Sequence, residues 1–157
     1  MAFTHLDRQG RARMVDVSSK EPTHRRAVAR GRICMQPEVA RALRDGAIGK
    51  GDVLAVARVA GIQAAKRTSE LIPLCHGLSV SSVAVDFEVG GDSVGIEAQV
   101  ETVDRTGVEV EALTACGVAA LTIYDMCKSM DRSMTITDIA LWEKSGGRSG
   151  TYRRDHS

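Results

Sequence analysis

Val83-Ala84-Val85-Asp86-Phe87-Glu88-Val89, Gly90-Gly91-Asp92 and Val94-Gly95-Ile96-Glu97-Ala98-Gln99-Val100 are the stretch on which the fold turns. From Ser81 onward every second residue, Val83, Val85, Phe87 and Val89, is apolar, and Ser82, Ala84, Asp86 and Glu88 stand between them. A period of two is that of a strand with one buried face. The glycines and aspartate punctuate it, and the alternation resumes through Val94, Ile96, Ala98 and Val100, which predicts a hairpin. A lone hairpin is marginal in water, so its apolar face needs a cover.

The flanking sequence supplies that cover. Downstream, residues 111–130 are apolar nearly all round, which predicts a helix buried on most sides. Its polar residues Thr114, Thr122, Asp125, Lys128 and Ser129 fall close to one stripe. Residues 134–142 read as a last strand. Upstream, Val53, Val56, Ala57, Ala60 and Ala64 recur at helical spacing in a helix over 52–70, with Asp52 at its dipole-favoured start and Pro73 ending it. Its contact residues are mostly alanines, so it can approach another helix closely. Pro37 and Gly46 bracket a shorter helix, preceded by a short strand at Arg32-Ile33-Cys34-Met35. Residues 1–30 read as a polar arm, with a short strand at Met14-Val15-Asp16-Val17, and 144–157 as a flexible Gly/Ser/Arg tail. The order predicts an α+β fold: a ferredoxin-like antiparallel sheet with helices packed on one face and one helix inserted.

Composition narrows the function classes. The chain has 157 residues, 21 Lys+Arg against 20 Asp+Glu, and 43% hydrophobic residues. That fits one domain, residues 1–157, with a core of its own. Net charge +1 and 3% aromatics argue against nucleic-acid binding by a global positive field or a base-stacking platform. No uninterrupted apolar run of about 18 residues appears, so no membrane span is expected. Met1-Ala2-Phe3-Thr4-His5-Leu6-Asp7-Arg8 lacks the apolar stretch of an export signal. A cytoplasmic location is therefore expected, with Cys34, Cys75, Cys116 and Cys127 reduced and mostly buried. No Cys pair has zinc spacing, and no metal site is expected.

The near-zero sum hides two segments of opposite sign. Residues 8–32 carry eight Lys/Arg and two acids, and residues 86–111 carry eight acids and one base. The ordinary account is two solvated surfaces. Several residues invite a chemical reading. Asp125 and Lys128 share a helix face, and a carboxylate beside an ammonium suits acid–base work; an ordinary surface ion pair is the plainer alternative. Their apolar neighbours suggest partial burial, where an ion pair is costly and pKa values shift. Lys50 lies between Gly49 and Gly51 before a helix, where backbone amides favour an anion; a solvated loop lysine is the plainer reading. Lys66-Arg67 ends the long helix, His76 follows Pro73 in a turn, and Glu109 and Glu111 open the buried helix. Lys144-Ser145-Gly146-Gly147-Arg148-Ser149-Gly150 can wrap a phosphate or be a free tail. No Ser-His-Asp order or dinucleotide fingerprint competes.

Longer motifs carry a resemblance. Lys66-Arg67-Thr68, Leu71-Ile72-Pro73-Leu74-Cys75-His76, Gly107-Val108-Glu109-Val110-Glu111-Ala112-Leu113-Thr114-Ala115 and Ala119-Ala120-Leu121-Thr122-Ile123-Tyr124-Asp125-Met126-Cys127-Lys128 resemble the cyclic pyranopterin monophosphate synthase family of molybdenum cofactor biosynthesis. Gly51-Asp52-Val53 and Ala60-Gly61-Ile62-Gln63-Ala64-Ala65 extend the likeness over nearly the whole chain. The resemblance implies conversion of 3′,8-cyclo-7,8-dihydro-GTP into cyclic pyranopterin monophosphate with loss of pyrophosphate. It also implies a radical SAM enzyme that makes the substrate, and a homo-hexamer, a trimer of dimers, with interfacial sites. Carried over by motif, the catalytic residues are Asp125, Lys128 and Lys50. The substrate contacts are Leu74, Cys75, His76, Val110 and Glu111, with Arg25, Lys66, Glu109 and Lys144 lining the pocket. No protein-bound cofactor is implied; magnesium would arrive, if at all, with the triphosphate. Gly77, Val110 and Cys116-Gly117 depart from the family's usual residues. A non-catalytic oligomeric nucleotide-binding module is the alternative that the residues alone leave open.

Overall fold

The computed structural model describes residues 5–155. The first four residues of the expected arm and the last two of the expected tail lie outside them. The hairpin forms as read: β2 (Val80–Val89) and β3 (Ser93–Asp104) pair antiparallel, with Val89 opposite Val94, Phe87 opposite Ile96 and Val85 opposite Ala98. β1 (Thr23–Cys34) lies beside β3, β4 (Thr135–Ser145) beside β1, and the short β5 (Tyr152–Arg153) beside β4. The sheet order is β2-β3-β1-β4-β5. Its first four strands have the ferredoxin-like arrangement, and β5 extends the edge.

The helices are α1 (Pro37–Arg44), α2 (Val53–Lys66), α3 (Thr68–Leu71) and α4 (Glu109–Cys127). α4 packs on β1, β3 and β4, and α2 packs on α4 and β2. The core lies between this layer and the sheet. Ala112, Ala115, Cys116, Ala119, Ala120 and Ile123 of α4 meet Ala27, Ala29 and Ile33 of β1 and Val94, Ile96, Ala98 and Val100 of β3 in one cluster. Small residues set the spacing: a Cβ on Gly61 of α2 would stand 3.0 Å from the Ala115 carbonyl oxygen.

Several boundaries differ from expectation, each for a physical reason. β1 begins at Thr23, so the last part of the expected arm is the central strand. Arg26 and Arg30 read as part of a polar arm because they lie on the face away from the helices. There Arg30 meets Glu97 at 2.8 Å and Arg26 meets Glu101 at 3.7 Å. The basic and acidic segments thus neutralise each other across the β1–β3 pair. Met14-Val15-Asp16-Val17 forms no strand. The long helix stops at Lys66 and restarts as α3. Arg67 leaves helical geometry, and the Thr68 hydroxyl donates to the Ala64 carbonyl at 2.9 Å. β4 runs on to Ser145, and the expected tail turns back as β5. α4 is by length and composition apolar enough to cross a membrane, but half of it is buried inside the fold. Glu111 and Asp125 break its apolar run, but the helix as a whole stays apolar on average. Of the four free cysteines, Cys116 and Cys127 are buried, whereas Cys34 and Cys75 are half-buried.

Candidate active site

The two ends of α4 each gather a set of the singled-out residues. At its C-terminal end the last turn leaves carbonyl oxygens without helical partners, and the helix dipole is negative. Lys50 answers both: its Nζ donates to the Asp125 carbonyl oxygen at 3.0 Å. The loop that delivers it turns through Gly51, whose φ of +113° favours glycine, into Asp52. The Asp52 carboxylate then caps α2 by accepting from the Ala55 N–H at 3.1 Å. Lys128, just past the helix, places Nζ 3.0 Å from Asp125 Oδ1. The hydrogen bond from Lys128, its charge and then the Lys50 charge hold the Asp125 carboxyl below the usual carboxylate range.

Lys50 lies on an exposed loop, as the plainer of its two readings has it, and its ammonium faces the C-terminus of α4. One expectation is corrected here. The Asp125–Lys128 pair is not partly buried: the side chains are 63% and 49% exposed, because α4 buries the stripe through Ala119, Ala120, Ile123 and Cys127 and turns the polar stripe outward. The site is therefore an open anion-receptive platform of two ammonium groups around one carboxylate.

At the N-terminal end, Pro73 occupies a turn closed by the Cys75 N–H donating to the Ile72 carbonyl at 3.1 Å. The turn sets Leu74 half-buried and aims Cys75 and His76 at α4. Cys75 Sγ lies 3.7 Å from Glu111 Oε1. The His76 ring meets the Val15 carbonyl oxygen through Nε2. A carbonyl can only accept, so Nε2 carries the proton and Nδ1 is left for another partner. A narrow crevice of about 10 Å³ between α2, α3 and the turn is lined by Lys66, Thr68, Ser69, His76 and Glu111. Glu111 is only 3% exposed. Burial pushes its carboxyl up to about 7, against the pull of its own backbone N–H and the Cys75 thiol. Burial, with the Glu111 charge, pushes the Cys75 thiol up to about 11. Val110 points outward, 37% exposed. Glu109 folds its carboxylate back over Gly107, where a Cβ would collide with it.

Arg25 and Lys144 form a third grouping. The Arg25 guanidinium donates to the carbonyl oxygens of Asp104 and Arg105, at 3.3 and 3.2 Å. Lys144 Nζ donates to the Gly146 carbonyl at 3.2 Å and also meets the Ser149 hydroxyl. Gly147, with φ +80°, lies against the Arg25 guanidinium, where a Cβ would overlap it. A cleft of about 530 Å³ opens between Lys20, Arg25 and Arg148.

Lys50, Asp125 and Lys128 thus come together, as do Lys66, Cys75, His76 and Glu111, and the 146–149 loop links Arg25 to Lys144. The two ends of α4 are not brought together within the chain. Fourteen positions separate Glu111 from Asp125, about 21 Å along a helix. Val15, Thr68, Ser69, Lys20 and Arg148 also belong to these groupings and were missed as individuals. A backbone carbonyl such as that of Val15 leaves no signal in sequence, whereas the basic stretch around Lys20 did leave one. Among the described residues no group of three or more His, Cys, Asp or Glu is placed to hold a metal ion.

Comparison with known proteins finds the MoaC family matching residues 14–147. A cyclic pyranopterin monophosphate synthase of Thermomicrobium roseum is 63% identical over 98% of this chain and 93% of its own. One of Heliobacterium modesticaldum is 60% identical over 98% of each chain. Cyclic pyranopterin monophosphate synthase 3 of Mycobacterium tuberculosis H37Rv is 62% identical over 97% of this chain and 86% of its own.

Proposed function

The chain belongs to the MoaC family, and from that premise we propose that it is a cyclic pyranopterin monophosphate synthase of molybdenum cofactor biosynthesis. It converts 3′,8-cyclo-7,8-dihydro-GTP into cyclic pyranopterin monophosphate and releases pyrophosphate. The observation that carries the assignment of the chemistry is the convergence of Lys50, Asp125 and Lys128 on one helix end. Asp125 stays ionised to unusually low pH because both lysines favour its charge. A permanent carboxylate base flanked by two ammonium donors can take a proton from one position of a ring system and deliver one to another. The same ammonium groups stabilise oxyanions that form as the purine opens and the cyclic phosphate closes.

Arg25, Lys66, His76 and Lys144 neutralise the triphosphate in this reading, through charge-assisted hydrogen bonds. Leu74, Cys75, Val110, Glu111 and Glu109 shape the rest of the substrate pocket. Since one chain holds the two ends of α4 about 21 Å apart, the site is completed by a second copy in a homo-hexamer, a trimer of dimers. The protein works in the cytoplasm, downstream of a radical SAM enzyme, and magnesium enters only with the triphosphate. The test uses purified 3′,8-cyclo-7,8-dihydro-GTP with the wild-type protein and with Asp125→Ala, Lys128→Ala and Lys50→Ala. Pyrophosphate release by the wild type and its loss in all three variants is the expected result. Wild-type rates in the three would overturn the residue assignment, and stoichiometric binding without product would favour a non-catalytic nucleotide-binding module.

A further inference from the structure

Asp131 lies in the loop between α4 and β4, outside the groupings described above, and the fold buries it. A buried carboxylate needs donors, and this one has three. Oδ1 accepts from the Ser133 hydroxyl at 2.6 Å and the Ser133 N–H at 2.8 Å, and Oδ2 accepts from the Gln36 N–H at 3.0 Å. The Ser133 hydroxyl and then the Gln36 N–H hold its carboxyl below the usual carboxylate range, so it is ionised at neutral pH. The donors sit at a junction. β1 and β4 pair as far as Cys34 opposite Thr135, and the same register continued would set Gln36 opposite Ser133. One carboxylate therefore staples the open end of the strand pair. The stapled loop starts with Lys128. Its other ties come from α4: the Met130 N–H donates to the Cys127 carbonyl at 2.9 Å, and the Tyr124 hydroxyl to the Arg132 carbonyl at 3.1 Å. Asp131 adds the tie to the sheet. The Lys128–Asp125 pair is exposed, and an exposed ion pair is too weak to fix its own geometry. Where Lys128 reaches depends on where the backbone starts it.

We propose that Asp131 is a positioning residue for the Lys50–Asp125–Lys128 cluster, fixing the loop from which Lys128 reaches Asp125. It acts through Lys128 and not on the substrate. The inference rests on the synthase reading for its kinetic consequence, though not for its effect on Asp125, which is present without substrate. Asparagine at this position separates the two attachments. Its amide oxygen still accepts from Ser133, but its amide nitrogen then faces the Gln36 N–H, donor against donor. Asp131→Asn thus keeps the turn at Ser133 and releases the tie to the end of β1.

The test reads the Asp125 carboxyl carbon in an NMR pH series on the unliganded protein. Lys128 is the main cause of its low pKa, so Asp131→Asn should make it titrate at higher pH than in the wild type. Loss of the Asp131 charge alone acts the other way, because removing a nearby negative charge makes a carboxylate easier to form. A rise therefore reports displacement of Lys128. The same substitution in a Lys128→Ala background should produce no rise, since the effect travels through the missing ammonium. A folded Asp131→Asn protein whose Asp125 titrates as in the wild type or lower overturns the proposal, and so does an equal rise in both backgrounds. If Asp131→Asn does not fold, Ser133→Ala, which loses only the hydroxyl donor, takes its place under the same criteria. With 3′,8-cyclo-7,8-dihydro-GTP, Asp131→Asn should lower kcat about 10–100-fold, with KM within about two-fold of wild type, as misplacement of a group used in the chemical step predicts. A rise in KM with kcat unchanged overturns the positioning role. A wild-type protein that turns over none of this nucleotide defeats the synthase reading, and the Asp125 titration then decides the proposal by itself.

Discussion

Asp125 and Glu111 are carboxyl groups on one helix with opposite electrostatic settings. Asp125 is exposed and flanked by cations, and its lowered pKa comes from the hydrogen bond and charge of Lys128, then the charge of Lys50. Its favourable interactions are present above the ordinary carboxylate value and are lost only as pH falls through the depressed one. Lys128→Ala removes the two largest causes. The Asp125 carboxyl should then titrate at higher pH, visible as a displaced carboxyl carbon resonance in an NMR pH series, while the melting temperature stays near wild type because the pair lies on the surface. Asp125→Asn should lower kcat by about 10²–10⁴-fold, the usual worth of a positioned base. Glu111 has the reverse sign. Its carboxyl moves from 4.5 up to about 7 on folding, so the folded chain binds the proton more tightly than the unfolded one. That stability is full below pH 4.5 and is lost as pH rises toward 7. Thermal melts should therefore show Glu111→Gln gaining on the wild type by a few degrees at pH 8 and gaining little at pH 4. At this scale sequence motifs located the residues, but the states of Asp125 and Glu111 depend on burial and on Lys50, 75 positions away.

At the scale of elements, glycines set how closely α4 approaches its neighbours. Gly31 of β1 has no room for a side chain: a Cβ would stand 2.7 Å from Ile139 Cγ1 and 2.9 Å from Cys116 Sγ. Gly117, one residue further along α4, has Ile139 Cδ1 at 3.9 Å as its nearest neighbour, an ordinary contact. The substitution to Ala should act oppositely at these two sites. Gly31→Ala should destabilise by about 1–3 kcal/mol through overpacking. Gly117→Ala should stabilise by about 0.5–1 kcal/mol, because a helix-interior glycine loses more backbone entropy than alanine. Urea unfolding midpoints compare the two directly. The hairpin and α1 were legible because each keeps one period and has its own stop signal, and α4 because it is apolar nearly all round. β1 was legible only at its end. A central strand whose outer face is a row of ion-paired arginines has the composition of a loop until its partners, Glu97 and Glu101, are placed beside it. The break between α2 and α3 was hidden for a similar reason: it depends on where the Thr68 hydroxyl reaches, not on a proline or glycine.

At the scale of the whole molecule, the length of α4 decides how the proposed site is assembled. The lysine–aspartate cluster and the His76–Glu111 crevice are fixed to opposite ends of one rigid helix that packs on three strands, so no loop movement brings them together in a single chain. Two copies with their α4 helices running in opposite directions would place the C-terminal end of one beside the N-terminal end of the other, and symmetry would make two such sites per pair. This arrangement has a numerical consequence. Lys128→Ala spoils the cluster contributed by its own chain, and His76→Ala spoils the crevice contributed by its own chain. In a mixed pair one site receives both defects and the other receives neither. Equal amounts of the two inactive variants, unfolded and reassembled together, should therefore regain up to about a quarter of wild-type pyrophosphate release by random pairing. Lys128→Ala mixed with Lys50→Ala should regain nothing, because both changes fall in the cluster that one chain supplies, and every site in the mixture then carries a defect. Recovery in the second mixture, or none in the first, would show that the two ends of α4 do not meet across a subunit boundary.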